Sequence, residues 1–384
     1  MYSHDDEPRR GNGGRRALGW LLAVGLIALM AWGAWYGARD LLGMNYADYS
    51  GSGDDEVVIE VSEGDSVRMI ADTLERADVV ASSRAFVVAG DDNGDVNAIQ
   101  PGYYVMRTRM SGEHAVEAIT DPDARVGNLQ IRGGIKLDDV THSDDTVTRG
   151  VLTRMSEASC VDLNGESDCV EPRELREAAT ETDLTELGAP EWLADAVADV
   201  DPERKLEGLV MPGVYDVDPS WGARELLTEV LTTSARKLEA AGLPGSAEDV
   251  GYEPYEVLTI ASVIEHEAVE NDFGRVSRVI YNRLDEDMRL EMDSTVNYVL
   301  DRPDVRTTEE DRAKPGPYNT YRNTGLPPTP ISAPSMEALQ AALSPEDGTW
   351  KFFVKCEDNG LSCFADTYEE HKENVRDAQA RGVF

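Results

Sequence analysis

The apolar positions of this chain follow three patterns. Residues 17–38, ALGWLLAVGLIALMAWGAWYGA, form one unbroken run without a charged side chain. From residue 56 onward apolar positions recur at helical intervals in some segments and in short β-prone runs in others. Between them, residues 39–55 are rich in Gly, Ser and Asp and read as a linker.

After the linker the pattern changes at Glu56, and residues 57–66 (VVIEVSEGDS) predict a short strand with a turn at Glu63–Gly64. Val67, Ile70, Ala71 and Leu74 then repeat at helical spacing behind Ser66, a good N-cap. Residues 82–90 predict a second short helix, and Pro101–Gly102 turns the chain into a strand over 103–106. Strand, helix, helix and strand make 56–111 a compact α+β unit. The stretch 112–205 opens with a helix (112–121) and a strand (126–134). It then becomes acidic and loop-rich, with helices around 170–180 and 190–200. From Leu206 the pattern is denser. A strand and turn over 206–219 precede a long amphipathic helix over 221–242. Helices follow over 254–269, 276–288 and 335–345, then a strand pair at 350–358 and 361–366 and a terminal helix over 367–382. The expected fold class is α+β, with a mixed α+β domain over 206–384.

The apolar run changes the picture of where this fold sits. At about 1.5 Å per residue, a 22-residue helix over 17–38 reaches about 33 Å, enough for a hydrocarbon core of about 30 Å. Arg9, Arg10, Arg15 and Arg16 precede it, while Arg39 behind it is followed at once by Asp40. The positive-inside rule then leaves residues 1–16 as a cytoplasmic tail and the rest of the chain outside, with Trp32, Trp35 and Tyr36 as an outer aromatic belt. A cleaved signal peptide is the competing reading, but its apolar core spans only about 7–15 residues. The expectation is a single-pass anchor in the cell membrane.

Charge narrows the function classes. With 36 Lys and Arg against 74 Asp and Glu, the net charge is −38. That excludes a nucleic-acid binder, which needs a basic footprint, and argues against docking on anionic lipid. The four cysteines fall into two local pairs, Cys160 with Cys169 and Cys356 with Cys363. Outside the cytoplasm disulfides persist, and of three possible connectivities the local one is expected. Zinc needs closer spacing, and a calcium loop over 91–99 lacks its Gly and closing Glu, so no metal or cofactor is expected.

Most catalytic motifs are missing. There is no phosphate loop, dinucleotide fingerprint, His-Glu-x-x-His or nucleophile elbow. One Ser-x-x-Lys, Ser234 to Lys237, lies in a plain amphipathic helix without the partner motifs of such a site. Carboxylates remain. In SVIEHEAVEND, stepping 100° per residue puts Glu265 and Glu267 inside the apolar arc of the helix, with Thr259, Ser262 and His266 opposite on the wet face. An apolar setting disfavours a carboxylate, raising its pKa toward what a general acid at neutral pH requires. By periodicity alone, these acids can equally be structural, since they sit in the last turns of the helix.

Longer segments carry more information. LTIASVIEHEA, RVSRVIYNRLDEDMRLEMDSTVNYVL, PYNTYRNTGLPPTPISAPSMEALQAALSP, WKFFVKC and FADTYEEH, in this order, resemble the YceG-like (MltG) family of membrane-anchored endolytic murein transglycosylases. Upstream, EVSEGDSVRMIADTL and IQPGYYVMRTRMS are similar to its LysM-like subdomain, which would occupy 56–111, and LEGLVMPGVYDV resembles the family as well. The resemblance covers about residues 17–375 and is weakest over 160–191, within a connecting region (112–205) that looks to hold an insertion.

The resemblance implies cleavage of the β-1,4 bond between N-acetylmuramic acid and N-acetylglucosamine within peptidoglycan strands, with 1,6-anhydro ends and no cofactor. It maps the family's catalytic acid onto Glu265; charge stabilisation is left to Glu267 or to the substrate's acetamido group, and Glu267 can equally be structural. It places Asn282, Arg283, Asp293, Thr295, Tyr318, Asn319 and Tyr321 in the substrate cleft. It also implies membrane-bound peptidoglycan synthases as partners. The alternative is a catalytically inactive wall-binding or cell-division scaffold of the same fold. Thr329, Ala333, Ser335 and Ser294 depart from the family's usual Gly, Asn, Gly and Pro. Gly360-Leu361-Ser362 stands where it has Gly-Gly-His, with Cys363 introduced beside it.

Overall fold

The computed structural model describes Trp20, residues 25–35, 46–91, 93–300, 303 and 307–383. Of the expected span over 17–38, the described residues are helical and exposed. Among the described residues no helix is long and apolar enough to cross a membrane. The rest of that span, the tail over 1–16 and part of the linker lie outside the described residues.

The chain divides into two compact units. One comprises the described residues up to Val57 with Asp65–Ile99 and Met106–Thr120; the other comprises Val58–Gly64, Gln100–Val105 and the chain from Asp121. β1 (Glu56–Val61) leads into α1 (Val67–Arg76), where Ser66 is the N-cap and its side chain accepts the Met69 N–H, as its sequence position predicts. α1 buries Ile70, Ala71 and Leu74. α2 (Ser83–Gly90), β2 (Gly102–Arg107) and α3 (Gly112–Thr120) follow. Gly112 is required for close approach, because a Cβ there would run into the Ala85 carbonyl of α2. With β3 (Arg125–Val126), the strands form a three-stranded sheet in the order β1-β2-β3.

The larger unit holds most of the core. β4 (Asn128–Ile131) pairs antiparallel with the later β9 (Gly213–Asp216), setting Leu129 opposite Tyr215. Between them lie five elements expected as loop. These are the hairpin of β5 (Val140–Thr141) and β6 (Val147–Thr148), α4 (Val151–Ser159), and the hairpin of β7 (Val161–Leu163) and β8 (Glu166–Asp168). Cys160–Cys169 bridges the ends of the second hairpin. α5 (Pro172–Glu181), α6 (Glu191–Ala196) and α7 (Ala223–Ala241) precede the short α8 (Ala247–Val250).

α9 (Pro254–Glu267) is the central helix of this unit. Pro254 occupies its first turn, where its missing N–H costs nothing, and Glu253 with Glu256 forms a capping box. Every residue from Val257 to Ile264 is buried, so the amphipathic reading fails on one point. Thr259 and Ser262 are not on a wet face. The Thr259 hydroxyl donates to the Tyr255 carbonyl, and Ser262 accepts the Ile331 N–H while donating to the Thr259 carbonyl. Each fully buried Val, Leu or Ile side chain here contributes roughly 1.5–3 kcal/mol. Ala268 is extended, so Glu265, His266 and Glu267 fill the last turn, where the helix leaves the core.

α10 (Phe273–Asp285) and the short α11 (Asp293–Asn297) and α12 (Glu309–Ala313) come next, followed by α13 (Met336–Leu343) against α9. β10 (Phe352–Lys355) and β11 (Ser362–Ala365) form the expected hairpin, closed by Cys356–Cys363, and α14 (Tyr368–Arg381) ends the fold. Both disulfides have the local pairing that the spacing predicts.

Candidate active site

Three segments meet the last turn of α9. The loop after β4 is laced to residue 333: the Gly134 N–H donates to the Ala333 carbonyl at 2.8 Å, and the Ala333 N–H to the Ile135 carbonyl at 2.9 Å. Ser335 is the N-cap of α13. α11 supplies Asp293 and Ser294.

The two glutamates of the motif part company here. Oε2 of Glu265 accepts the Ser335 N–H at 2.8 Å and the Ser335 hydroxyl. The other side of this carboxyl faces Gly133, where a Cβ would stand 2.9 Å from Cδ and closer still to Oε1. One oxygen is therefore clamped, and the other fits only because residue 133 has no side chain. Oε1 of Glu267 accepts the Ser294 N–H at 3.2 Å and the Ser294 hydroxyl. Burial pushes the Glu267 carboxyl up to about 6; the Ser294 hydrogen bonds limit that rise, and the charge of Asp293 adds to it.

Glu267 lines an open cleft of about 510 Å³, within the size range of small-ligand sites. Asp293, Ser294 and Asn297 of α11 stand with it. Further lining residues come from the loop after β4 (Gly134, Lys136, Asp138) and from the β5–β6 hairpin and its end (His142, Arg149). Asp293 accepts from Thr307, Tyr321 and Arg312. Burial alone would raise its carboxyl, but these partners hold it below the usual carboxylate range. Tyr321 is thereby fixed behind the cleft by a 2.7 Å hydrogen bond, and burial pushes its hydroxyl upward.

The remaining residues expected at the cleft are engaged elsewhere. Asn282 donates to the Gly348 and Trp350 carbonyls. Arg283, 6% exposed, gathers the carbonyls of Lys351, Arg289 and Leu290. Thr295 is fully buried and bonds to Thr320 and to the Met292 carbonyl. Asn319 ties the Arg312 and Lys314 carbonyls to the Tyr321 N–H. Tyr318 packs on Tyr298, and its hydroxyl meets Thr329, one of the departures. These groups hold the loops that carry Asp293 and Tyr321. Ser234 and Lys237 are likewise separately engaged, with the Met211 N–H and the Pro212 carbonyl.

Sequence reasoning did not single out Lys136 or Glu207. Lys136 reaches the carbonyls of Asn297 and Tyr298, both at 3.3 Å, and burial pushes its amine down to about 8. Glu207 is 4% exposed and accepts the Leu137 N–H at 3.0 Å and the Tyr298 hydroxyl at 3.1 Å. Burial pushes its carboxyl up to about 7. It braces the 134–137 wall of the cleft against the end of α11. The available signal was a lone acid inside the apolar run LEGLVM.

Comparison with known proteins gives concordant matches. The model of the YceG-like family matches residues 59–377. A Bacillus subtilis (strain 168) protein named endolytic murein transglycosylase is 28% identical over 321 residues, which is 83% of this chain and 83% of the relative. A Streptococcus pneumoniae serotype 2 (strain D39) protein of the same name is 25% identical over 364 residues, 91% of this chain and 63% of that longer relative. Among solved structures, a YceG-like protein from Listeria monocytogenes is 25% identical with a TM-score of 0.50, covering 83% of this chain and 98% of that one.

Proposed function

Since this chain belongs to the YceG-like family, we propose that it is an endolytic murein transglycosylase with Glu265 as its acid and base. The substrate is peptidoglycan, and the reaction breaks the β-1,4 bond between N-acetylmuramic acid and N-acetylglucosamine within a strand. Glu265, protonated on Oε1, gives its proton to the bridging oxygen as the bond to the muramyl C1 breaks. The resulting carboxylate takes the proton of the muramyl C6 hydroxyl as that oxygen attacks C1. A 1,6-anhydro ring closes, no water is consumed and the glutamic acid is restored. Because the nucleophile belongs to the substrate, one carboxyl serves as acid and then base, where a hydrolase uses two.

The reading is carried by one observation: two acids two residues apart leave a buried helix together, one clamped by Ser335 and Gly133 and the other in an open cleft. Glu267, ionised above about pH 6, stands where negative charge can offset the oxocarbenium-like carbon. Asp293, held from behind by Tyr321, adds to the polar lining. A second reading exchanges the two acids, because Glu267 is the one that lines the cleft and has the raised pKa of a general acid. Turnover of isolated sacculi separates them. Glu265→Gln abolishes cleavage while retaining glycan binding, and Glu267→Gln only slows it; the reverse ranking assigns the proton to Glu267, and full activity of Glu265→Gln overturns the reading.

The rest of the proposal concerns placement. Residues 17–38 anchor the chain in the cell membrane with residues 1–16 inside, and residues 56–111 form a LysM-like subdomain ahead of the catalytic domain. Membrane-bound peptidoglycan synthases supply the nascent strands, and cleavage terminates their elongation. An inactive scaffold of the same fold would bind strands without producing anhydro ends.

A further inference from the structure

We propose that Lys136 and Arg149 form an anion subsite of the cleft, and that it receives a carboxylate of the peptide stem carried by the muramyl residue. This rests on the murein reading above and goes beyond it to what the cleft recognises outside the sugar backbone.

The chain as a whole carries 74 acids against 36 Lys and Arg, and one side of the cleft follows that bias with Glu267 and Asp293. The part of the lining built from residues 134–149 supplies Lys136 and Arg149, and its one acid, Asp138, is paired with Arg176. A half-buried ammonium is costly unless its donors are matched by acceptors. Lys136 has three donors, and two reach the backbone carbonyls of Asn297 and Tyr298 at a long 3.3 Å. The Tyr298 ring lies 5.1 Å from the amine. No carboxylate lies within ion-pair distance of Lys136 among the described residues; the charge of Glu207 acts on it from beyond that distance, and one N–H is left for the cleft. Arg149 uses one end of its guanidinium on Glu157, leaving further donors at the rim.

The sugar backbone of murein offers hydroxyls and neutral acetamides. Its anions sit on the stem, joined to the muramyl lactyl group beside the bond to be cut. Lys136 and Arg149 in the same cleft as the acids therefore select stem-bearing strands and orient the muramyl residue. A charge-assisted contact of this kind is worth about tenfold in binding.

The test compares stem-bearing glycan strands with strands stripped of stems by a muramoyl-alanine amidase, reading the KM for anhydro-end formation. The wild-type protein is expected to favour stem-bearing strands by about tenfold in KM. In Lys136→Met, which keeps an unbranched side chain but removes the charge, this preference shrinks toward parity. Lys136→Arg retains it. Arg149→Gln, at an exposed position safe for folding, reduces it partway. An unchanged preference in both Lys136→Met and Arg149→Gln overturns the subsite, as does a wild-type protein with no preference. Absence of anhydro ends from either substrate would instead count against the murein reading itself.

Discussion

The Ser335 hydroxyl donates to Glu265 and at the same time accepts the Ala338 N–H at 3.1 Å, so one side chain caps α13 and clamps the proposed catalytic acid. The family usually has glycine at this position, where only the backbone N–H could make the contact. Ser335→Ala loses both side-chain bonds and is expected to cost about 1 kcal/mol as a missing cap. Ser335→Gly costs only a few tenths, because glycine is a tolerable N-cap. Both keep the N–H to Glu265, so both should lower kcat by a similar factor while differing in melting temperature. Unchanged kcat in both would separate the clamp from catalysis.

Gly133→Ala is a cleaner steric probe. Its backbone does not need glycine's left-handed region, yet the added carbon would stand 2.9 Å from Cδ of Glu265. The carboxyl must move, and a misplacement of about 1 Å can cost about a hundredfold in rate. The expected result is a kcat loss of roughly ten- to a hundredfold with nearly unchanged thermal stability. A fully active Gly133→Ala would mean that Oε1 is not the atom that carries the proton.

The Glu267 carboxyl, raised to about 6 by burial, predicts one limb of the pH–rate profile. If its negative charge assists the reaction, kcat falls as pH drops through about 6, because protonation removes that charge. Glu267→Gln should be slower and should lack this limb. Persistence of the same limb in the variant would assign it to another group.

Glu207 predicts a pH dependence of stability. Its carboxyl rises from 4.5 in the unfolded chain to about 7 in the fold, so the folded state binds the extra proton between those values. A raised pKa contributes stability that is complete below about 4.5 and is lost as pH climbs through about 7. At about 1.4 kcal/mol per pH unit, the advantage of the wild type over Glu207→Gln should shrink by ~2–3 kcal/mol between pH 5 and 8. Denaturant titrations at both pH values measure it. A pH-independent difference would show that Glu207 does not titrate in this range.

Several helices and the β10–β11 hairpin were legible because their signals are local. Ser66 caps α1 as its sequence position indicates, Pro254 opens α9, and the β10–β11 pair stands within the expected strands at 350–358 and 361–366. What failed required tertiary knowledge. Thr259 and Ser262 read as a wet face because they are polar, yet both bond to backbone carbonyls and tolerate full burial. The β5–β6 hairpin has strands of only two residues, too short for any periodicity. α4 did carry a signal, with Val151, Leu152 and Met155 on one face, but its acidic and polar surroundings obscured it. Glu265 and Glu267 were singled out by pattern and resemblance. That one meets Ser335 and the other Ser294 depends on segments 70 and 27 residues further along the chain.

The central claim, that the muramyl C6 hydroxyl and not water completes the reaction, is tested most directly by digesting sacculi in oxygen-18 water and weighing the new strand ends by mass spectrometry. The account predicts 1,6-anhydromuramyl ends without the heavy isotope from the wild-type protein and no new ends from Glu265→Gln. Reducing ends that carry oxygen-18 would contradict it.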